Sequence, residues 1–572
     1  MYLFPALQNS NDPLIIDFLS NIPCTLMQAY DRMMNDFTDY SFEGYILGNR
    51  QKMLEPIIKF HREADTLTKA VDCATNDLKD PSTKILVSTH QPNLFAYSGI
   101  FKKIVLLQTL KELILGPERG HSKLKMINLF VIIDHDFADE NWIRVAQLPS
   151  IKHNNGIMQL RLPVDKSKRW QMVCKLPLPS RTIMENWRSQ LFSWIKKSFI
   201  FEPYLSTAFD LQNMRSTLIS NLESLWKIVE DSYSIANTYS DFNSFFMSKI
   251  VNRLWQYDTL FVRLTDLSQV FAKGYANLLR NYDSYSKTLK EADQVFMKRG
   301  IPSGVSNSSY LNSPLWLHCK CGSKSATKIS NKRIRRYSAH QENFLLEGDC
   351  LGCKRHLIAE LVVDEGGGIG SPDAQVIGNL SPRSIPIVLL LSTELGISAY
   401  VSGTDGMRYI LFGSRLFKQF SKGNIPLFMV WPARDVYYGF AQSDALRSVK
   451  LKNYGEIGSY IQKLKEKEEH YRSLIAPMLC ERNSRMMESR SGKEDILSVL
   501  FSHKTNQRNI RAQMKLADKV KNISSLRPCI IDYAINFGLQ DTELQWRQNL
   551  LSSSDLTCQN ELFSKFAYMT LT

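Results

Sequence analysis

Apolar residues recur at helical spacing through the first part of the chain, residues 1–82. Leu14, Ile15, Phe18 and Leu19 form one stripe, and Leu54, Ile57 and Ile58 form another. The turn Lys79-Asp80-Pro81-Ser82-Thr83 closes this helical lead-in. The pattern then changes. A compact apolar run predicts a strand over Lys84–Ser88, and a helix follows from Gly99 to about Leu113 with Ile100, Ile104, Leu107 and Leu110 on one face. A second strand is predicted over Met126–Ile133. Two strands joined by a helical crossover make a right-handed βαβ unit, so residues 83–150 read as the first half of an α/β, doubly wound, Rossmann-like core.

Residues 151–315 are mainly helical in pattern and rich in Trp and Phe, as expected of an insertion between two halves of a sheet. Residues 316–360 hold a cysteine cluster. Strand character resumes over 361–440, with Ile397–Val401 and Pro426–Trp431 as strands of the second half. Residues 441–572 are helical and basic. There Ile457, Leu464, Tyr471 and Met478 repeat every seven residues, Tyr460 and Leu474 take the alternate seam position, and Lys467 interrupts the seam. This pattern predicts a short coiled coil or, equally, an amphipathic helix packed on the body.

Composition narrows the class. The chain of 572 residues is long enough for several domains, and 44% hydrophobic residues is ordinary for a globular protein. The most apolar stretch, Ile385–Val401, contains Pro386, Glu394 and Gly396, so it reads as buried helix and sheet rather than a membrane span. The start, Met1-Tyr2-Leu3-Phe4-Pro5, has no basic region followed by an apolar one, so no signal peptide is expected. Ten cysteines, four clustered and six scattered, suit a reducing cytoplasm with one metal site and exclude a disulfide scaffold. The net charge of +15 and pI near 9.2 favour anionic partners, or else a surface kept basic for solubility.

Two polar segments sit just beyond the first two strands, where open α/β sheets place their chemistry. The first is Thr89-His90-Gln91-Pro92-Asn93-Leu94, leading to Gly99. A loop that opens a helix offers backbone N–H groups and the positive end of the helix dipole, which is an anion site. His90, Gln91 and Asn93 can supply hydrogen bonds there, Gly99 close backbone approach, and Lys102 with Lys103 positive charge. The alternative is a capped helix start with a histidine satisfied by the backbone.

The second segment is Asp134-His135-Asp136-Phe137, extended by Glu140 and Asn141. A carboxylate at a strand end can hold an ammonium or a divalent ion, and a histidine between two of them can act as a base. A solvated turn is the alternative.

The cysteine cluster pairs Cys319 and Cys321 with Cys350 and Cys353 across 28 residues. Close thiol pairs of this kind supply a tetrahedral, structural Zn²⁺ site of zinc-ribbon type, in which His318 or His356 can replace one ligand. Two weaker signals follow. Asp364 to Ser371 is a glycine-rich turn, read as a flexible connector. Tyr400-Val401-Ser402-Gly403-Thr404-Asp405-Gly406 places small residues and an acid at a strand end, suited to approach by a nucleotide.

His90-Gln91-Pro92-Asn93-Leu94 and Asp134-His135-Asp136-Phe137, with Leu380-Ser381-Pro382 and Ala399-Tyr400-Val401-Ser402-Gly403 downstream, resemble the bacillithiol-synthesis ligase family BshC. The helical lead-in, insertion and tail resemble it as well. The resemblance implies a core like that of class I aminoacyl-tRNA synthetases and a carbon–nitrogen ligase. Such an enzyme would join an amino acid, cysteine in that family, to an amine acceptor such as an amino sugar conjugate after activation by ATP. It places the His90 loop at the nucleotide phosphates, Asp134, His135 and Asp136 at the amino-acid or acceptor pocket, and Ser381, Arg383, Ser402, Gly403 and Asp405 near nucleotide or substrate. It makes the helical tail a homodimer element.

The chain departs from the family at Ile387, Val388, Leu391, Ser392 and Gly406, and it adds the cysteine cluster. The opening loop, with Gly99, Phe101 and Ile104, is also similar to WbqC-like proteins. A synthetase-like, zinc-containing protein that binds tRNA or other RNA without ligase activity is the competing expectation, and a non-catalytic scaffold is a third.

Overall fold

The computed structural model describes residues 13–35, 44–116, 124–197, 208–300, 312–330, 341–371, 375–403, 406–421, 425–430, 436–488, 493–552 and 561–563. The lead-in folds as helices α1 (Pro13–Ser20), α2 (Leu26–Asn35), α3 (Gly44–Glu63) and α4 (Lys69–Asp77). Then come β1 (Lys84–His90), α5 (Ser98–Leu115) and β2 (Met126–Ile132), followed by an antiparallel pair, β3 (Val145–Pro149) and β4 (Ile157–Arg161). Helices α6 (Arg181–Lys197), α7 (Ala208–Ile235) and α8 (Tyr239–Ser248) lead to β5 (Leu260–Arg263), and α9 (Ala272–Arg280) and α10 (Tyr282–Met297) follow.

A β-rich module comes next, from β6 (Leu315–His318) and β7 (Lys324–Ala326) through β8 (Lys328–Ile329), β9 (Gln341–Asp349), β10 (His356–Asp364) and β11 (Ile369–Gly370) to β12 (Leu380–Pro382). The chain returns through α11 (Ser384–Leu395), β13 (Ala399–Ser402), α12 (Met407–Phe420) and β14 (Leu427–Val430). It ends in α13 (Phe440–Ser448), α14 (Ile457–Glu488), α15 (Lys493–Ser524), α16 (Ile530–Phe537) and α17 (Leu539–Ser552).

Five strands make one parallel sheet in the order β14-β13-β1-β2-β5. Numbered along the chain and read from the β5 edge, that order is 3-2-1-4-5, and it reverses direction between β1 and β13. Side chains alternate between two covered faces. Leu86, Phe130, Ile132, Phe261 and Val401 pack with α5, α8 and α16 on one side. Ile85, Val87, Leu129, Val131 and Val262 pack with α3, α9 and α11 on the other. Burial on both faces is why these strands read as nearly continuous apolar runs.

Residues 151–315 therefore are not only an inserted helical region, because Leu260–Arg263 is the edge strand of the parallel sheet. The module also runs beyond residue 360. Its long hairpin β9–β10 continues to Asp364, β12 closes it at Pro382, and the parallel sheet resumes only at Ala399. The glycine-rich turn is the β10–β11 hairpin, in which Gly368 N–H donates to Asp364 Oδ1 at 2.8 Å.

Helix α14 packs along α15 of the same chain, antiparallel to it, as the pairs Glu468–Arg511 and Tyr471–His503 require. The buried apolar positions on α14 are Ile457, Ile461, Leu464 and Ile475, with the expected Tyr460 and Tyr471 partly buried against the same cluster, whereas Leu474 is exposed and Ile475 is buried in its place. The polar break falls on Glu468, which accepts from Arg511 at 2.8 Å, not on Lys467. No helix among the described residues is long and apolar enough to cross a membrane.

Candidate functional site

The carboxyl ends of β1 and β2 are tied together where Ile133 N–H donates to the His90 carbonyl. Beyond that point the chain turns sharply, and Asp134, His135 and Asp136 leave the sheet in different directions. Asp134 is fully buried. It accepts from the Thr265 backbone N–H at 3.1 Å and from Thr265 Oγ1 at 2.5 Å, just after β5. Burial pushes its carboxyl up to about 6, Asp266 adds to the rise, and the Thr265 hydrogen bonds oppose it. The backbone carbonyls of Asp134 and Asp136 accept from Cys174 and Val173, which fixes the turn.

His135 is buried, and its Nδ1 lies 2.8 Å from Ser381 Oγ on β12. The same hydroxyl lies 2.8 Å from Nε2 of His318 on β6. One hydroxyl has one proton to give, so it donates to one ring and accepts an N–H from the other. The arrangement in which Ser381 donates to His135 also turns His135 Nε2–H toward Asp136 Oδ1, 3.8 Å away and beyond hydrogen-bond reach. Burial drives both imidazoles far below their ordinary range, with His318 at about 3, and the charge of Lys324 adds to it. Both rings are therefore neutral at physiological pH. Ser381 is itself fully buried, so the Ser–His–Asp sequence of contacts does not expose a nucleophile.

Asp136 is the half-buried member, and it gathers groups from other parts of the chain. Gln91 Nε2 donates to its Oδ2 at 2.7 Å, and Lys324 Nζ lies 3.9 Å from its Oδ1. Lys324 is almost completely buried between two aromatic rings, 4.7 Å from the centroid of Phe137 and 4.5 Å from that of Trp316. Burial lowers its ammonium to about 8, against the opposing pull of Asp136. Arg383 lies over the same Trp316 ring at 5.1 Å. Lys324 was not among the expected site residues, and His318 was expected only as an alternative metal ligand. Only the closeness of Lys324 to Cys321 in sequence pointed to it.

The His90 loop is arranged differently from the anion cradle expected. His90 Nδ1 donates to the Gln91 carbonyl at 3.2 Å, and Nε2 accepts from the Tyr97 hydroxyl at 3.0 Å, so neither ring nitrogen is free for a phosphate. Burial, then the charge of Lys103, holds this ring well below its ordinary pKa. Asn93 is buried, and its amide has no hydrogen-bond partner among the described residues.

The start of α5 at Ser98 and Gly99 is covered by the C-terminal region. Ser98 N–H donates to the Pro528 carbonyl, and Ile530 N–H donates to Ala96. Lys102 points into this packing, 5.8 Å from the Trp546 ring, whereas Lys103 reaches back to the Thr89 carbonyl at 2.7 Å. Asn141 is exposed on the rim and accepts from Arg161.

Ser402 and Gly403 end β13 beside β1, at the point where strand order reverses. Asp405 lies outside the described residues. A Cβ on Gly406 would come within 2.5 Å of Ser402 Oγ, which accounts for glycine at that position. Ile387, Val388, Leu391 and Ser392 are buried positions on α11, with the three apolar ones in the core, so they do not face the cluster.

The four cysteines converge, with all ligand atoms within 4.8 Å of one another, and could hold a metal ion. Cys319 Sγ lies 3.7 Å from Cys353 Sγ, and Cys321 Sγ lies 3.5 Å from Cys350 Sγ. His318 is engaged with Ser381, and His356 with Asp349 at 2.9 Å, so neither joins the cluster. Gly322 turns the first cysteine pair with a φ of +86°, and its carbonyl accepts from Met172 at 2.8 Å, which docks the module on the segment that holds Asp134 and Asp136.

No protein-family model matches the chain, and no match was found among curated proteins.

Proposed function

We propose that the chain is a BshC-like, nucleotide-dependent ligase that joins an amino acid to an amine acceptor, built on a Rossmann-like core of the class I synthetase type. The observation that carries the reading is the polar cluster of Asp134, His135 and Asp136 at the carboxyl ends of parallel strands, beside the reversal of strand order between β1 and β13. Open α/β sheets bind ligands in that crevice. In this reading the nucleotide occupies the β1–β13 crevice beside Gln91, Ser402 and Gly403. Asp134 orients an ammonium group, and Asp136, with Gln91 and Lys324 around it, faces the reacting carboxylate and amine. ATP would supply the leaving group that activates the carboxylate. The residues of this chain bind, orient and exclude water.

We further propose that the four cysteines hold Zn²⁺. Sulfurs 2.3 Å from a tetrahedral ion lie ~3.8 Å apart, close to the spacing of the two thiol pairs. With four protein ligands such an ion is structural. A reducing, cytoplasmic setting keeps these thiols available. A homodimer would use the exposed Leu497 and Phe501 on α15.

Amino-acid-dependent exchange of labelled pyrophosphate into ATP tests the ligase. Exchange with one amino acid identifies the donor, and no exchange with any amino acid, with or without amine acceptors, removes the reading. In that event steeply salt-dependent binding of tRNA would support the RNA-binding alternative, which the net charge of +15 favours.

A further inference from the structure

The turn between β3 and β4, residues 150–156, lies beside the C-terminal ends of two helices. Trp194 on α6 donates to the Pro149 carbonyl at 2.7 Å, which brings the end of that helix to the start of the turn. From α15, Lys519 Nζ donates to the Ile151 carbonyl and Asn522 Nδ2 to the Asn155 carbonyl, both at 3.1 Å. The Lys519 backbone packs directly on Gly156. The turn and the two helix ends thus form one continuous surface, remote from the strand-end cluster in its contacts.

This surface is dense in cations. Lys152 and His153 are exposed in the turn, and exposed Lys196 and Lys197 end α6. Burial, then the charges of Lys519 and Lys197, lowers the His153 imidazole, so both lysines lie near that ring. On α15, Lys504, Arg508, Arg511, Lys515 and Lys519 recur three or four positions apart. At 3.6 residues per turn they fall within an arc of roughly 80° and extend over roughly 22 Å. They lie on the side of α15 away from its buried Ile510, Ala517 and Val520. Arg511 is engaged by Glu468 at 2.8 Å. Lys152, Lys196, Lys197, Lys504, Arg508 and Lys515 have no ion-pair partner among the described residues. Helix ends account for only part of this charge. Each helix C-terminus carries roughly half a negative charge, and Asp518 adds one carboxylate, so these six cations and Lys519 leave a net charge of about +5. Like charges held this close repel one another and oppose folding, and a polyanion relieves that repulsion.

The surroundings select among polyanions. The exposed apolar residues of α15, Leu497 and Phe501, lie at its other end. Among the described residues no large apolar or aromatic side chain is exposed along Arg508–Lys519, in the turn or at the end of α6. Insertion into a membrane surface and stacking of unpaired bases both need such side chains. A row of cations along a straight helix suits the backbone of a duplex, and the exposed Asn154 beside it can hydrogen-bond a 2′-hydroxyl. We propose that this ridge docks double-stranded RNA by its backbone, with Arg508, Lys515 and Lys519 along the phosphates and Lys152 and Lys197 at the end where the turn meets them.

Fluorescence anisotropy of the full chain with a labelled RNA duplex of about 16 base pairs, titrated at several salt concentrations, tests this. The triple variant Lys152→Gln/Lys197→Gln/Lys515→Gln changes three exposed side chains. It is expected to weaken duplex binding by about 10-fold or more near 0.1 M salt and to reduce the slope of log K against log salt by about 2–3. Its Tm should be unchanged or raised, because repulsion is relieved. The charge-matched Lys287→Gln/Lys290→Gln/Lys298→Gln, at and just beyond α10, is expected to keep binding within about twofold. No duplex binding at low salt overturns the proposal. So does equal loss in the two triple variants, which would make net charge the cause. Single-stranded RNA or a DNA duplex bound as tightly as the RNA duplex overturns it too, as does binding to phosphatidylserine vesicles without binding to RNA. The ridge does not rest on the ligase reading: pyrophosphate exchange without RNA binding removes the ridge and leaves the ligase, and RNA binding lost in the first triple variant without exchange does the reverse.

Discussion

Lys324 Nζ faces Asp136 Oδ1 across 3.9 Å, although one residue belongs to the cysteine module and the other to the end of β2. The contact is held less by the carboxylate than by the two rings that enclose the ammonium. It makes the module part of the strand-end cluster rather than an appendage.

Packing and charge at this position separate cleanly. Replacing a buried ion by an apolar residue of similar volume is often neutral or stabilising, so Lys324→Met is expected to unfold within about 1.5 kcal/mol of the wild type. Lys324→Ala leaves a void between Phe137 and Trp316 and is expected to cost about 2–5 kcal/mol. Urea unfolding followed by Trp fluorescence reads both. A Met variant as unstable as the Ala variant would show that the charge itself holds the module.

Asp134 gives stability a pH dependence of definite sign. Its folded pKa of about 6 lies above the unfolded value near 4, so the contribution is fully present below about pH 4 and is lost as pH rises through about 6. The expected loss is up to about 3 kcal/mol across that window. Asp134→Asn is a neutral isostere whose amide oxygen can accept the Thr265 N–H while its NH2 donates to Thr265 Oγ1, and it removes this slope. Unfolding free energies of the two proteins measured at intervals from pH 4 to 7 check it, and parallel curves would refute the assignment. If Asp134 holds an ammonium, affinity for amine ligands rises through the same interval, since only the carboxylate form pairs with it.

Gly322 is a point of closest approach. Its φ of +86° is costly for any L side chain, and a Cβ there would lie 3.0 Å from Gln171 Nε2 and 3.2 Å from Lys175 Cβ. Gly322→Ala is expected to cost about 1–3 kcal/mol. The loss should appear as loosened docking of the module, read by hydrogen exchange at Met172 and Val173.

Removal of the proposed Zn²⁺ reaches further than the four thiols. Chelation is expected to release one ion per chain and to change the fluorescence of Trp316 and the imidazole resonances of His135 and His318. The first of these sits under Lys324, and the two rings share Ser381. Cys350→Ser, at a buried ligand position, is expected to reproduce the effect. Metal loss with the His135 resonances unmoved would mean that the strand-end cluster holds itself in place.

The parts legible in the sequence were those that local pattern determines. Apolar runs ending in polar residues marked β1 and β2, and thiol spacing marked Cys319, Cys321, Cys350 and Cys353. What was not legible depends on long-range packing. Leu260–Arg263 is only four residues long and lies among helices, so its place as the edge strand beside β2 has no local signal, and Thr265, the partner of Asp134, was missed with it. Lys324 reads as a surface residue until the fold encloses it between Phe137 and Trp316. The expected Ile457, Tyr460, Leu464 and Tyr471 do pack along the α14 seam, but 3.6 residues per turn lets the stripe drift, so that Ile461 joins it and Ile475 is buried in place of Leu474.

The strap of Pro528 to Ile530 over Ala96 and Ser98 has a consequence for synthesis. The two halves of this contact lie roughly 430 positions apart, and a ribosome adding 5–20 residues per second needs on the order of a minute to travel between them. Throughout that interval the nascent chain carries the His90 loop without its cover, and the apolar start of α5 is open to chaperones and to neighbouring chains. The loop next to the first strand is thus among the last parts of the molecule to mature.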